Sequence, residues 1–165
     1  WKLPVLFLCE NNLYAMGTAL ERHQSQVNIA AKAAAYAMPS DILDGMDVLA
    51  VEAAVNSAVT KIRQGAGPML LEARTYRFRA HSMYDPELYR QKAEVEQWKN
   101  RCPIETFVAR LHSAELLSQV DRQRIEAKVA EQVAAAVAAA DEGLWESADD
   151  LLKHVQAPDF KEHAQ

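Results

Sequence analysis

The sequence predicts an α/β fold in which a parallel β-sheet is followed by a helical region. Residues 3–9 are continuously apolar, which indicates a strand buried on both faces, and residues 69–76 form a second strand pattern. Two helical patterns lie between them over short connections. This order of strand, helix, helix and strand is typical of parallel sheets. From about residue 90 onward the patterns are helical only.

The elements of the first half follow one another closely. The first strand leads into a polar loop, 10–25, and then into a helical pattern over 27–37. That helix is expected to end before Pro39, because the residue before a proline disfavours helical dihedrals. Asp47 can cap a second helix, predicted over 48–64, which stops at a glycine-rich turn before the second strand. The apolar positions that this helix is expected to bury are Val51, Val55, Val59 and Ile62.

The second half of the chain is predicted to be helical. Ser118 and Asp121 resemble a capping box, and Gly143 is a suitable helix stop. The helices are expected at about 90–100, 104–117, 119–142 and 147–156. The longest carries an apolar stripe of Ile125, Val129, Val133 and Val137. We therefore expect an α/β domain over 1–90 and a helical region over 91–165.

Composition limits the classes of function. The 165 residues are 50% hydrophobic, enough for one sizeable core, and a net charge of -5 without a Lys/Arg run argues against nucleic-acid binding. The two cysteines, Cys9 and Cys102, imply no disulfide framework, which fits a reducing compartment. No apolar run approaches the length of a membrane span. The chain opens at Trp1 directly into a strand, so we expect it to be part of a longer protein.

Polar segments directly follow the two predicted strands: ENNLYAMGT, residues 10–18, and RTYRFRAHSMYDP, residues 74–86. Ligands of parallel α/β sheets bind beyond the carboxyl ends of the strands, so the two segments predict one composite site. In the first segment, Asn12 offers a neutral oxygen of the kind that Mg²⁺ accepts beside phosphates and water. The alternative is that Asn11 and Asn12 only form an Asx turn, and the spacing alone leaves both interpretations open.

His81 is the titratable residue of interest in the second segment, within a polar loop at 77–90. It could act as a general acid or base near neutral pH, or it could be a solvated surface histidine. The neighbouring Arg77 and Arg79 could pair with a carboxylate or a diphosphate. A nucleophilic pair with Ser82 is disfavoured, because adjacent side chains rarely face each other and no GxSxG motif is present.

Three segments together resemble the alpha subunits of the thiamine-diphosphate-dependent 2-oxo-acid dehydrogenases: LPVLFLCENNLYAMGT, DGMDVLAV and GPMLLEARTYRFRAHSMYDPELYR. The pyruvate enzymes are the nearest resemblance, and the acetoin and branched-chain enzymes are relatives. The match is good over residues 1–113 and looser over the helical tail. ENN-x-Y-x-MGT followed by HSM-x-DP at this separation is a specific signature. The chain is therefore identified as the carboxyl-terminal part of such a subunit.

This resemblance implies the carboxyl-terminal part of a thiamine-diphosphate-binding parallel-sheet fold, with thiamine diphosphate and Mg²⁺ as cofactors. The implied metal ligands are the side-chain oxygen of Asn12 and the backbone carbonyl of Tyr14, and the implied cofactor contacts also include Met16 and His81. His81 would be the catalytic residue, stabilising or protonating oxyanions or assisting transfer to the lipoyl group. Ser82 matches a residue that is phosphorylated in animal relatives, where a dianion would repel the substrate carboxylate.

The implied activity is the oxidative decarboxylation of a 2-oxo acid with acyl transfer to a lipoyl group on a partner acyltransferase. The other implied partner is a beta subunit, within a heterotetramer, which contributes the glutamate that activates the cofactor. The GDG half of the family's cofactor motif does not fit in the ten residues before Asn11, so the chain alone is expected to be inactive. The alternatives are an acetoin or branched-chain enzyme, or a non-catalytic assembly fragment. The expected location is a bacterial cytoplasm, or the mitochondrial matrix or a plastid in a eukaryote.

Overall fold

A computed structural model of the chain describes residues 1–153 and residue 155. The strands are β1 (Leu6–Asn11), β2 (Tyr14–Ala15), β3 (Thr18–Ala19), β4 (Ser40–Asp44) and β5 (Met69–Arg74). The α-helices are α1 (Leu20–His23), α2 (Val48–Lys61), α3 (Lys92–Lys99), α4 (Pro103–Ser113) and α5 (Gln119–Glu142). Shorter helical segments are the 3₁₀ helices Ala30–Tyr36 and Ala148–Asp150 and the π-helical turn Ile62–Ala66.

The sheet that positions the site has three strands in the order β1, β5, β4, and both neighbouring pairs run parallel. This arrangement confirms the predicted α/β class and the parallel sheet. The register places Asn11 of β1 and Asp44 of β4 opposite Arg74 of β5, so that the three strands end at one edge. The sequence analysis does not predict β4, because the strand is short and mostly polar, with the sequence SDILD.

β1 differs from the predicted strand buried on both faces. It spans Leu6–Asn11 rather than 3–9, and Phe7 and Leu8 are 50% and 56% exposed. In the described part of the chain β1 pairs with β5 alone, and neither of its faces is fully covered. The main apolar cluster lies instead where α2 and the turn after it pack on β5. Its buried members are Ala58, Ile62, Met69 and Leu71.

α2 begins where the sequence predicts. Asp47 Oδ1 accepts hydrogen bonds from the amides of Leu49 at 2.9 Å and Ala50 at 3.3 Å, which confirms the predicted cap. The helix continues into the π-helical turn, where Gly65 adopts a φ of 88° that favours glycine. Of the residues expected in the core, Ile62 is buried in the apolar cluster and the three valines are half-buried, with Val55 packed against that cluster. Ala58 is buried there as well.

The segments between the strands are more ordered than the sequence analysis expects. The predicted loop 10–25 contains the antiparallel pair β2 and β3, followed directly by α1. The segment 27–37 forms a 3₁₀ helix over Ala30–Tyr36 rather than an α-helix. Ala37 leaves that helix in the left-handed conformation, with a φ of 51°, and the chain then enters β4.

The helices of the second half agree with their predictions in the described residues. α5 has the predicted bounds, and Ser118 Oγ accepts a hydrogen bond from the Asp121 amide at 3.1 Å, which confirms its cap. α3 and α4 overlap the predicted ranges. The predicted helix at 147–156 is represented by the 3₁₀ helix Ala148–Asp150, and residues 154 and 156 lie outside the described residues.

The chain divides into two compact units, with Trp1–Leu116 in the first and the second starting at Leu117. The first unit holds the sheet together with α1, α2, α3 and α4, and the second holds α5. The boundary at residue 90 between the expected α/β domain and the expected helical region stays a prediction. Among the described helices, none is both long and apolar enough to cross a membrane.

Candidate functional site

The carboxyl ends of the strands bring the two polar segments together, as their order along the chain predicts. Beyond the sheet, the Thr75 amide donates to the Asn11 carbonyl oxygen at 2.9 Å, and the Gly45 amide donates to the Arg74 carbonyl oxygen at 2.8 Å. Glycine is required at residue 45, because a Cβ would lie 2.4 Å from Thr75 Cγ2 and 2.9 Å from Arg74 O. The three chain segments therefore continue side by side past the edge of the sheet.

Asn11 and Glu72 form a buried polar pair at this edge. Asn11 Nδ2 donates to Glu72 Oε1 at 2.8 Å, while Asn11 Oδ1 accepts from the Leu13 amide at 3.0 Å in an Asx turn. Glu72 is 0% exposed, and it also accepts from the Ala30 amide at 2.8 Å and Arg74 Nε at 3.2 Å. Burial by itself would raise the pKa of Glu72, but its three donors outweigh burial and hold that pKa below its ordinary value.

Asn12 has a different environment from its neighbour Asn11. Its Oδ1 accepts a hydrogen bond from Thr75 Oγ1 at 2.9 Å, and its Nδ2 donates to Glu10 Oε1 at 3.2 Å. The residue lines a cavity of about 320 Å³ that Glu10, Gly45 and Thr75 also line. Because a carbonyl oxygen has two lone pairs, Asn12 Oδ1 keeps one for a cation. Its half-buried, neutral oxygen beside a cavity fits a metal ligand that is completed by diphosphate and water.

Tyr14 and Met16 lie in and next to the β2–β3 hairpin. The Tyr14 hydroxyl donates to the Glu94 carboxylate at 3.0 and 3.1 Å, and its ring meets Tyr76 edge-on with centroids 6.1 Å apart. Burial, reinforced by the Glu94 carboxylate, raises the pKa of Tyr14. Its side chain lines a second cavity, of about 590 Å³, together with Glu94 and Trp98. Met16 is 65% exposed at the hairpin turn, where its side chain is accessible to a ligand.

His81 and Ser82 are exposed on the loop that follows β5. They line a third cavity, of about 370 Å³, which the side chains of Arg77, Arg79 and Lys99 also line. Asn12 and His81 therefore line different cavities, and both of these cavities are also lined by Arg77 and Phe78. Ser82 Oγ accepts a hydrogen bond from the Tyr84 amide at 3.2 Å within the same loop.

An aromatic cluster supports the base of this loop. The rings of Tyr76 and Trp98 stack with centroids 5.1 Å apart, and the Arg90 guanidinium lies 5.4 Å from the centroid of the Tyr76 ring. The Tyr76 hydroxyl is buried and has no hydrogen-bond partner among the described residues. Burial, opposed by the nearby Arg90 guanidinium and reinforced by the Glu94 carboxylate, raises the pKa of Tyr76 to about 12.

The sequence analysis misses three residues that make contacts around the candidate site, namely Glu72, Arg90 and Glu94. Glu72 carries one available signal, an acid inside an otherwise apolar strand, which is costly to bury without partners. Arg90 and Glu94 carry none, because their partners Phe78 and Tyr14 are distant in sequence. Among the described residues, no group of three or more His, Cys, Asp and Glu side chains could hold a metal ion.

The sequence is similar to a known protein family and to several curated proteins. The sequence matches the family described as "Dehydrogenase E1 component" over residues 1–147. It is 43% identical to the "Pyruvate dehydrogenase E1 component subunit alpha" of Rhizobium meliloti over 135 residues, which are 81% of this chain and 39% of the relative. It is 41% identical to the subunit of that name from Zymomonas mobilis over 152 residues, 88% of this chain and 43% of the relative.

A plant protein of the same printed subunit type is similar over almost the whole chain. The "Pyruvate dehydrogenase E1 component subunit alpha-3, chloroplastic" of Arabidopsis thaliana is 40% identical over 157 residues, 95% of this chain and 37% of the relative. The chain spans about two fifths of the length of these curated relatives. Since the family match covers residues 1–147, most of the chain, the chain belongs to the dehydrogenase E1 component family.

Proposed function

We propose that the chain forms part of the alpha subunit of a thiamine-diphosphate-dependent enzyme that oxidatively decarboxylates pyruvate and transfers the acyl group to lipoyl groups. The observation that carries this proposal is the contact between Asn12 Oδ1 and Thr75 Oγ1, which joins the two polar segments at one edge of a parallel sheet. Family membership and the names of the relatives support the same reaction.

The proposed cofactor contacts lie at the carboxyl end of β1. Asn12 Oδ1 and the backbone carbonyl of Tyr14 would bind Mg²⁺, with diphosphate oxygens and water completing its coordination. Met16, exposed at the hairpin turn, would contact the cofactor. When bound, thiamine diphosphate supplies the electron sink for decarboxylation. The residues of this chain would bind and orient it, and the Thr75 hydroxyl would fix the direction of the Asn12 carbonyl.

His81 is the proposed catalytic residue. Its imidazole is exposed on a loop, where substrate and a lipoyl group could reach it, and it would hold or deliver a proton at a ring nitrogen. Arg77 and Arg79 line the same cavity and would attract the substrate carboxylate. Ser82 is the proposed phosphorylation site: its hydroxyl is on the exposed loop, and a phosphate dianion would repel that carboxylate.

The proposed partners are a beta subunit, with which the complete alpha subunit would form a heterotetramer, and a lipoyl-bearing acyltransferase. The curated relatives include chloroplastic and mitochondrial proteins as well as bacterial ones. We propose a bacterial cytoplasm as the location of this chain. Cell fractionation with an antibody against the chain would test that location.

Reconstitution tests the proposed function. The complete alpha subunit that contains this chain is assembled with its beta subunit, and reductive acylation of a lipoyl domain is measured with pyruvate, a branched-chain 2-oxo acid and acetoin. We expect pyruvate to give the highest kcat/KM, and Asn12→Ala to weaken binding of thiamine diphosphate and Mg²⁺. Asn56→Ala, an exposed position on α2, is the matched control. Faster turnover of either other substrate would contradict the pyruvate assignment, and unchanged cofactor binding in Asn12→Ala would contradict its role as a ligand.

A further inference from the structure

We propose that Glu87 is a positioning residue, whose carboxylate joins Arg90 to close the base of the loop 77–90 and so fixes the position of His81. The inference rests on the proposed function of His81 and adds to it the residues that hold the catalytic loop. We call the Glu87–Arg90 pair, with the backbone groups that it binds, the loop clasp.

Arg90 forms the first half of the loop clasp. Its side chain is 4% exposed, and its Nη1 and Nη2 donate to the carbonyl oxygens of Arg77 at 2.7 Å and Phe78 at 2.9 Å. The same guanidinium pairs with Glu87 Oε2, at 3.0 Å from Nε and 2.9 Å from Nη2. A guanidinium is suited to this arrangement, because its donors are held in one rigid plane.

Glu87 forms the second half. While Oε2 binds Arg90, Oε1 accepts a hydrogen bond from the Ala80 amide at 3.1 Å. One carboxylate therefore ties the limb that leads to His81 to the limb that leaves the loop. The tip of the loop, 81–84, is exposed, so the position of His81 depends on contacts at the base.

The loop clasp packs against an aromatic pair formed by Tyr76 and Trp98. The Arg90 guanidinium lies over the Tyr76 ring, which stacks on Trp98 of α3. Asp85 adds a local tie on the leaving limb, because its carboxylate accepts from the Glu87 amide at 2.9 Å and from the Tyr89 hydroxyl at 3.0 Å. The Arg90 side of the clasp therefore rests on a packed aromatic pair.

The backbone of Glu87 supports the same conclusion. Its φ is 57°, in the left-handed region that residues with a Cβ adopt rarely and at a cost. A glycine would suit this backbone better and would lack the carboxylate. Glu87→Gly therefore distinguishes two roles of the residue. If only the backbone conformation matters, the change should stabilise the loop. If the carboxylate forms the clasp, the change should loosen the loop.

The first test measures hydrogen exchange of the Ala80 amide in the chain itself, with no cofactor or partner. Glu87→Gly should speed that exchange by at least about tenfold, because the amide loses a hydrogen bond to a charged acceptor. Glu87→Gln, which keeps an acceptor oxygen but not the charge that binds Arg90, should give an intermediate rate. The control Glu126→Gln removes an exposed ion pair with Arg122 on α5 and should leave Ala80 unchanged. Exchange in Glu87→Gly within about twofold of the wild type would overturn the clasp.

The second test measures turnover in the complete alpha subunit assembled with its beta subunit. Glu87→Gly should lower kcat by about 10- to 100-fold through misplacement of His81, with the Kd of thiamine diphosphate unchanged. Faster exchange at Ala80 with unchanged kcat would overturn the positioning role. Normal turnover of His81→Ala would overturn the proposed function of His81 and leave the exchange result for Glu87→Gly standing. If His81→Ala loses turnover but Glu87→Gly leaves the exchange of the Ala80 amide unchanged, only the clasp is overturned.

Discussion

At the scale of single residues, two adjacent asparagines of the same chemistry have different roles. Asn11 uses its amide to bind Glu72 and its carbonyl to bind the Leu13 amide, so its side chain serves the fold. Asn12 receives one hydrogen bond from Thr75 on its carbonyl and borders a cavity. Its second lone pair remains open to a ligand. The difference arises because successive side chains of an extended segment point to opposite sides.

Glu72 is predicted to stabilise the first unit as a carboxylate. Glu72→Gln replaces one acceptor oxygen by an amide that cannot accept, so at least one of its buried donors loses its partner. We expect the free energy of unfolding to fall by about 2 kcal/mol at neutral pH, measured by urea unfolding. The exposed Glu52→Gln on α2 is the matched control and should unfold as the wild type does. An equal loss in both variants would contradict a specific role for Glu72.

The stabilisation by Glu72 should depend on pH in a definite direction. Because the folded pKa lies below the ordinary value of 4.5, the carboxylate contributes its full stabilisation above that value. The contribution is lost as the pH falls from 4.5 through the lower folded pKa. The difference in unfolding free energy between wild type and Glu72→Gln should therefore shrink on acidification. A difference that grows below pH 4.5 would show that the folded pKa is raised.

His81 is predicted to act on the chemical step. In the reconstituted enzyme, His81→Ala should lower kcat by about 10²- to 10⁴-fold, the usual contribution of a positioned acid or base. The Kd of thiamine diphosphate should change little, because the proposed diphosphate contacts are at Asn12 and Tyr14. Protease resistance of the loop 77–90 is measured in parallel. Near-normal turnover with an intact loop would assign His81 a structural role instead.

At the scale of elements, local caps fix where the helices begin, and close approaches fix how they meet the strands. α2 starts at Val48, and its cap Asp47 lies three residues after the end of β4 and two residues after Gly45. The turn is short because Gly45 lets Thr75 and Arg74 approach the backbone. The cap of α2 is thereby connected to the edge of the sheet where Asn12 lies.

Removal of this cap should weaken α2 measurably. Asp47→Ala leaves the amides of Leu49 and Ala50 without a side-chain acceptor, and we expect a loss of about 1 kcal/mol in the free energy of unfolding. Asp47→Asn retains an acceptor oxygen and should lose much less. Thermal and urea unfolding followed by circular dichroism would measure both variants. Equal losses of unfolding free energy in Asp47→Asn and Asp47→Ala would indicate that the charge of Asp47, rather than its hydrogen bonds, stabilises α2.

At the scale of the whole molecule, the chain exposes several large apolar side chains. Phe7 and Leu8 are half-exposed on β1, and the stripe on α5 is exposed along its length in the second unit. The members of this stripe are Ile125, Val129, Val133 and Val137, each more than half exposed. Contiguous apolar surface of this kind marks sites of association.

The isolated chain is therefore predicted to self-associate. Sedimentation velocity over a concentration series should show a weight-average mass above that of the monomer that rises with concentration. Val129→Lys/Val133→Lys should shift this equilibrium toward monomer, because lysines on the stripe would have to be desolvated on association. Ala127→Lys/Ala138→Lys adds the same charge on the side of α5 that faces away from the stripe and is the control. A monodisperse wild-type monomer at all concentrations would contradict the prediction.

The sequence by itself determined the features that depend on neighbours along the chain. The α/β class, the bounds of α5, the caps at Asp47 and Ser118 and the placement of polar segments after β1 and β5 all follow from periodicity and from side chains within a few residues. The family signature has the same origin, because its residues are contiguous in sequence. The roles of Asn12, Tyr14, Met16, His81 and Ser82 as site residues stay predictions.

Only the tertiary structure decided the features that depend on pairings between distant residues. β4 is recognisable because its backbone pairs with β5, although three of its five residues, Ser40, Asp41 and Asp44, are polar. The pKa of the buried Glu72 carboxyl is held low in part because Asn11, 61 residues away, and Ala30, 42 residues away, donate hydrogen bonds to it. The loop clasp likewise requires Arg90 to meet the carbonyl groups of Arg77 and Phe78. Local sequence patterns do not predict such contacts. They form only when the sheet has brought the segments together and water is excluded from the groups that pair.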